Sequence, residues 1–131
     1  MKNTVLIVDD SPLYCELLKS IVENLGYEAV TCGDGSEAMR YMAENNKSIM
    51  LMFLDIYMPE VDGISALGHF RNRYPELPVV IITGSNDDDD IKAAEGLGAA
   101  GYLKKPFPAG TIQETIHELI VKIKPLAQGA V

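Results

Sequence analysis

Apolar positions along this chain follow two rhythms, and each change of rhythm marks an element. Thr4 to Val8 is an apolar, β-branched run that meets Asp9-Asp10-Ser11-Pro12. This is the pattern of a strand entering a helix, with Ser11 placed as the N-cap and Pro12 at the first helical position. Leu13, Leu17, Leu18, Ile21, Val22 and Leu25 then recur at helical spacing until Gly26, which predicts a first helix. Glu28 to Cys32 predicts a second strand, Gly33-Asp34-Gly35 a turn, and Ser36 to Asn45 a helix with Ala38, Met39, Met42 and Ala43 inward. Ile49 to Leu54 is unbroken apolar sequence ending on Asp55, closed soon after by Pro59-Glu60-Val61-Asp62-Gly63. So short a run, bounded by Pro and Gly, suits a strand buried on both faces of a parallel sheet.

Ile64 to Tyr74 predicts a third helix capped by Asp62, and Pro75-Glu76-Leu77-Pro78 breaks it. Val79 to Ile82 is a second wholly apolar strand, ending on Thr83-Gly84-Ser85-Asn86. Asp87 to Asp90 opens a helix running to about Leu97, where acidic side chains suit the positive end of the macrodipole. Gly98 to Gly101 leads into a brief strand, Tyr102-Leu103, followed by Lys104-Lys105-Pro106-Phe107. The last helix, about Ala109 to Lys124, places Ile112, Ile116, Leu119, Ile120 and Ile123 on one face, and Pro125 ends it. Five strands alternating with five helices predict an α/β fold, a doubly wound parallel sheet with helices on both faces. One domain is expected over residues 1–124, with 125–131 a short tail or the start of a linker.

Composition narrows the partners. The 131 residues are 47% hydrophobic and 23% charged, enough apolar material for one sizeable core. A formal net charge of -8 disfavours non-specific nucleic-acid binding and anionic membrane surfaces, and leaves proteins and cations as partners. No apolar run is long enough to span a bilayer and the N-terminal stretch lacks a signal-peptide pattern, so the expected location is cytoplasmic. Cys15 and Cys32 show neither metal spacing nor disulfide density and are expected as reduced core residues. Met39, Met42, Met50, Met52 and Met58 suit core filling, and His69 and His117 fall within helices as surface or packing residues.

In open α/β sheets, ligands bind in the crevice outside the carboxyl ends of the strands. With the strands placed as above, that rim receives Asp9 and Asp10, then Asp55, Thr83 and Lys105. Crowded carboxylates repel and raise one another's pKa unless a cation offsets them. Mg²⁺ fits best, since it takes one or two carboxylates, keeps several waters and completes its shell with phosphate oxygen. A lysine and a hydroxyl beside it provide for an incoming anion. The set describes a Mg²⁺-assisted phosphoryl site in which an aspartate can itself be the nucleophile.

On these residues the chain resembles a response-regulator receiver domain of two-component signalling, over about residues 3 to 124. The resemblance implies flavodoxin-like strand order 2-1-3-4-5, with Asp9-Asp10 the acidic pair, Asp55 the phosphoacceptor, Lys105 the lysine of Lys-Pro-Phe, and Thr83 and Tyr102 the switch residues. It further implies that Asp10, Asp55 and the Tyr57 backbone carbonyl bind Mg²⁺, with Asp9 acting through water, and that Lys105 pairs with phosphoryl oxygens. Gly84 leaves room beside Thr83, while Tyr57 and Ser85 stand at variable positions that tune how long the phosphoryl group lasts. The implied partners are a sensor histidine kinase or phosphotransfer protein upstream and a protein target or output domain downstream, with homodimerisation on activation an open option. Output is expected through the face made by the fourth helix, fifth strand and fifth helix.

Other readings have specific obstacles. A haloacid-dehalogenase-like phosphatase wants its nucleophile after the first strand in an Asp-x-Asp motif, whereas here the candidate follows the third. A flavin-binding module of the same topology needs a phosphate loop where Asp9 and Asp10 would repel the phosphate. A degenerate receiver, binding partners without phosphorylation, is opposed by the intact acceptor, acidic, hydroxyl and lysine positions. Asp87 to Asp90 is expected as a solvated helix start, with a partner-selecting acidic patch as its alternative. Self-modification with slow self-hydrolysis is expected, not turnover of an external substrate.

Overall fold

The three longest apolar runs become the centre of the sheet. A computed structural model describes residues 2–58, 62–84 and 87–123. Its elements are β1 (Thr4–Val8), α1 (Pro12–Asn24), β2 (Glu28–Cys32), α2 (Gly35–Asn45), a 3-10 turn at Asn46–Ser48, β3 (Ile49–Asp55), α3 (Gly63–Arg73), β4 (Val79–Thr83), α4 (Asp88–Gly96), β5 (Gly101–Lys104) and α5 (Ala109–Ile123). All strand pairs are parallel, in the order β2-β1-β3-β4-β5. Every residue of β1, β3 and β4 is buried, as expected of interior parallel strands, while the edge strands β2 and β5 are largely exposed or half-buried.

Strand alternation sends side chains to two cores. Leu6, Val8, Met52, Leu54, Val79 and Ile81 pack with Ala38 and Met42 of α2, Ala66, Leu67 and Phe70 of α3, and Ala94 of α4. Val5, Ile7, Phe53, Val80 and Ile82 pack on the other side with Leu18, Ile21 and Val22 of α1 and Ile112 and Ile116 of α5. Both Met50 and Leu51 join this second core because the β1–β3 register slips between Thr4 and Val5, which pair with Ile49 and Leu51. The slip leaves Met50 as an inserted residue and breaks the period of two.

Several boundaries move by one residue at the caps. Ser11 caps α1, accepting from the Tyr14 N–H, and Gly26 closes it at φ 93°. Asp34 caps α2, so this helix starts at Gly35, one residue earlier than expected, and Asp62 caps α3 with Tyr74 beyond its end. One inward assignment, Ala43 of α2, is corrected. Leu13 is 74% exposed, Leu17 and Leu25 are also exposed, and so is Ala43. At about 100° per residue, Leu13 lies about 140° round α1 from buried Leu18, and Ala43 the same angle from buried Ala38. The apolar positions extend round more of each helix than the sheet covers. Cys32 is buried, Cys15 is only half-buried, and both are free thiols. His69 and His117 are exposed. Lys124 and Pro125, the 125–131 tail, Pro59-Glu60-Val61, Ser85-Asn86 and the side chains of Ile120 and Ile123 lie outside the described residues.

Candidate functional site

The strand registers bring distant carboxylates together. Val8 pairs with Leu54, so Asp9 and Asp55 leave β1 and β3 side by side, and Asp55 pairs with Ile82, which sets Thr83 one step further on. Thr83 pairs with Lys104, and the Lys105 N–H donates to the Thr83 carbonyl at 2.6 Å, delivering the lysine to the same rim. Among the described residues the buried polar or charged side chains are Thr4, Asp9, Asp55 and Thr83, and all but Thr4 lie here. Burying such groups is costly unless they are paired, so their concentration at one rim marks a built site.

Backbone donors fix the carboxylates. The Ser11 N–H donates to Asp9 Oδ1 and the Tyr57 N–H to Asp55 Oδ1, each at 2.9 Å. The Lys105 ammonium fills the space between them, 2.8 Å from Asp9 Oδ2 and 3.1 Å from Asp55 Oδ2. Asp9 Oδ2 is buried, and the Lys105 ammonium offsets its charge. Burial, reinforced by the neighbouring Asp9 charge, pushes the Asp55 carboxyl up to about 7, against the lowering effect of Lys105. Burial alone would lower the Lys105 ammonium, but its contacts with Asp9 and Asp55 outweigh this and raise it. Burial, then Asp9, raises the Cys15 thiol, and burial with Glu37 and Asp34 pushes Cys32 up to about 12, so both stay protonated at neutral pH.

Asp9, Asp10 and Asp55 each offer an oxygen within 4.8 Å of the others, Asp10 from an exposed position. An all-oxygen set of this charge fits a hard divalent cation such as Mg²⁺. Added Mg²⁺ is therefore expected to raise the melting temperature. At about a hundred times its dissociation constant the gain is about 2.7 kcal/mol, and a thermal-shift titration of wild type against Asp55→Asn measures it.

Tyr102, on β5, is 36% exposed. A Cβ at Gly84 would meet nothing within 4 Å apart from its own chain neighbours. Two features were not foreseen from the sequence. Tyr57 donates its hydroxyl to Asp90 of α4, joining the loop after Asp55 to that helix across 33 residues. The acidic start of α4 is accordingly divided: Asp87 caps it, Asp88 and Asp89 are exposed, and half-buried Asp90 is engaged. Tyr14 presents its ring to the Lys105 ammonium, 4.2 Å from the ring centroid. An aromatic residue in the first turn of the helix that abuts the acidic pair was the available clue.

Residues 5–117 match the response regulator receiver domain family, and the chain belongs to it. It is 37% identical over 107 residues to the response regulator GtcR of Aneurinibacillus migulanus, covering 82% of this chain and 43% of that protein. It is 29% identical over 120 residues to the alkaline phosphatase synthesis transcriptional regulatory protein PhoP of Bacillus subtilis, covering 92% of this chain and 49% of that one. The chain thus spans less than half the length of these curated relatives. Among solved structures, a response regulator receiver domain protein from Clostridium thermocellum superposes with TM-score 0.87 at 31% identity, covering 95% of this chain and 98% of that one. The chemotaxis protein CheY4 of Vibrio cholerae does so with TM-score 0.83 at 26% identity, over 91% and 99%. Among the described residues no helix is long and apolar enough to cross a membrane.

Proposed function

We propose that Asp55 is the phosphoacceptor of a two-component phosphorelay and that its phosphorylation resets the α4–β5–α5 face for a protein partner. The observation that carries this reading is the buried Asp9–Lys105–Asp55 arrangement at the carboxyl ends of β1 and β3. An Asp55 oxygen forms the new O–P bond as the P–N bond of a donor phosphohistidine breaks and its electron pair returns to the imidazole. Tyr57 N–H holds the other carboxylate oxygen during approach, and Lys105 transfers from the carboxylate to a phosphoryl oxygen. Mg²⁺, held by Asp10, Asp55 and the Tyr57 backbone carbonyl with Asp9 acting through water, would neutralise the acidic cluster and the phosphoryl charge when bound. Thr83, buried one step beyond, donates its hydroxyl to the phosphoryl group, and half-exposed Tyr102 moves inward behind it. Attack of water on phosphorus returns the carboxylate and ends the signal, which makes the domain a self-modifying switch in place of a turnover enzyme. The upstream partner is a sensor histidine kinase or phosphotransfer protein in the cytoplasm, and the receiver unit occupies residues 1–124.

Binding of beryllofluoride, an acyl-phosphate mimic, tests this. With Mg²⁺, amide NMR shifts are expected at Thr83, Tyr102 and along α4, and failure of the mimic to bind would transfer support to the phosphorylation-independent interaction module. Lys105→Ala is expected to leave Mg²⁺ binding intact while weakening beryllofluoride about tenfold to a hundredfold, the worth of a hydrogen bond to a charged group. Its residual complex is expected to show reduced shifts at Thr83 and Tyr102.

A further inference from the structure

Lys105 has two carboxylate partners, and a third partner is neither charged nor on a neighbouring strand. Its ammonium stands 4.2 Å from the centroid of the Tyr14 ring. That ring is itself placed by two independent devices. Ser11, the α1 N-cap, accepts from the Tyr14 N–H at 3.4 Å, which seats the residue in the first turn of the helix. Phe107, two residues beyond Lys105 and buried in the α1–α5 core, packs against Tyr14 with centroids 5.6 Å apart and planes tilted by 56°.

A lysine is a point charge on a flexible four-carbon stem, so two carboxylates attract it without fixing its direction. The negative face of an aromatic ring attracts the ammonium from one side only. It also keeps its charge distribution throughout the reaction. Asp55 does not, since it passes from carboxylate to acyl phosphate. We infer that Tyr14 is a positioning residue, whose ring face holds the Lys105 ammonium at the acceptor site before and after Asp55 is modified. This rests on the phosphoacceptor reading for its consequence, though not for its geometry.

The test compares Tyr14→Phe, which keeps the ring face, with Tyr14→Leu, which keeps apolar bulk without it. In the Lys105 side-chain NMR spectrum, the ε-methylene protons are expected upfield in wild type and Tyr14→Phe through ring shielding, and at ordinary positions in Tyr14→Leu. This readout needs no phosphoryl chemistry, so it stands even if wild type takes up neither phosphoryl group nor mimic. In that event the receiver reading fails separately. With Mg²⁺ present, Tyr14→Leu is expected to weaken beryllofluoride about threefold to thirtyfold, the range of a cation–π contact, with Mg²⁺ affinity unchanged. Tyr14→Phe is expected within about twofold of wild type, and Tyr14→Leu in a Lys105→Ala background is expected to cost nothing further. Unshielded Lys105 methylenes in wild type would overturn the inference. So would equal behaviour of Phe and Leu, or the same loss with Lys105 absent.

Discussion

Asp55→Asn is expected to take up no phosphoryl group and, with divalent cations chelated at neutral pH, to melt at a higher temperature than wild type. The first half follows from losing the nucleophilic oxygen, because an amide cannot replace a carboxylate in forming the acyl phosphate. The second follows from burial. Asp55 holds its proton to about 7 in the folded protein because the site is desolvated and Asp9 adds negative charge, against an ordinary value of 3.8. Below about pH 4 this group is neutral folded and unfolded, and its contribution to stability is fully present. As pH rises the unfolded chain ionises first, so the contribution drains away through the window up to about 7. Asparagine does not titrate. The stability advantage of Asp55→Asn over wild type is therefore expected to be small near pH 4 and to grow until pH passes about 7, at a few degrees of melting temperature for each kcal/mol. Urea titrations of both proteins across this range, with EDTA present, measure it. An advantage that does not change with pH would contradict the electrostatic account of the site.

Gly63→Ala is expected to be the most damaging small substitution near the site. The Gly63 N–H donates to the Ile56 carbonyl at 3.2 Å, closing the loop between β3 and α3 directly behind Asp55. A Cβ on Gly63 would stand 2.6 Å from the Ile56 carbonyl carbon and oxygen and closer still to its Cα. Those atoms are backbone, and the Ile56 side chain is itself buried, so nothing flexible can yield. A loss of about 3 kcal/mol, or about 10 °C in melting temperature, is expected. Beryllofluoride affinity should fall with it, because Ile56 follows the acceptor. Gly68→Ala is the control: it lies within α3, a Cβ there meets nothing within 4 Å, and up to about 1 kcal/mol of stabilisation is expected. A Gly63→Ala protein that melts within about 2 °C of wild type would show that the approach of these two segments relaxes cheaply.

What could be foreseen differs from element to element for physical reasons. Strand ends were legible because an apolar run that stops at Asp9, Asp55 or Thr83 announces its own terminus. Parallel topology then carries all such termini to one rim, so the convergence of Asp9, Asp55, Thr83 and Lys105 followed from sequence alone. Strand order did not. Apolar runs do not say which strand lies beside which, and the order came only with the family resemblance. The inward face of α2 was overdrawn at Ala43, which, like the apolar Leu13 of α1, lies beyond the arc that the sheet covers. The contacts of Tyr14 with Lys105 and of Tyr57 with Asp90 depend on how far side chains reach between elements. Spacing along the chain does not encode this.

The central claim is that Asp55 is a Mg²⁺-dependent phosphoacceptor, and intact-protein mass after incubation with acetyl phosphate tests it most directly. A single phosphoryl adduct is expected with Mg²⁺, absent with EDTA and absent in Asp55→Asn. An adduct that persists in Asp55→Asn, or that forms equally in EDTA, would contradict the account.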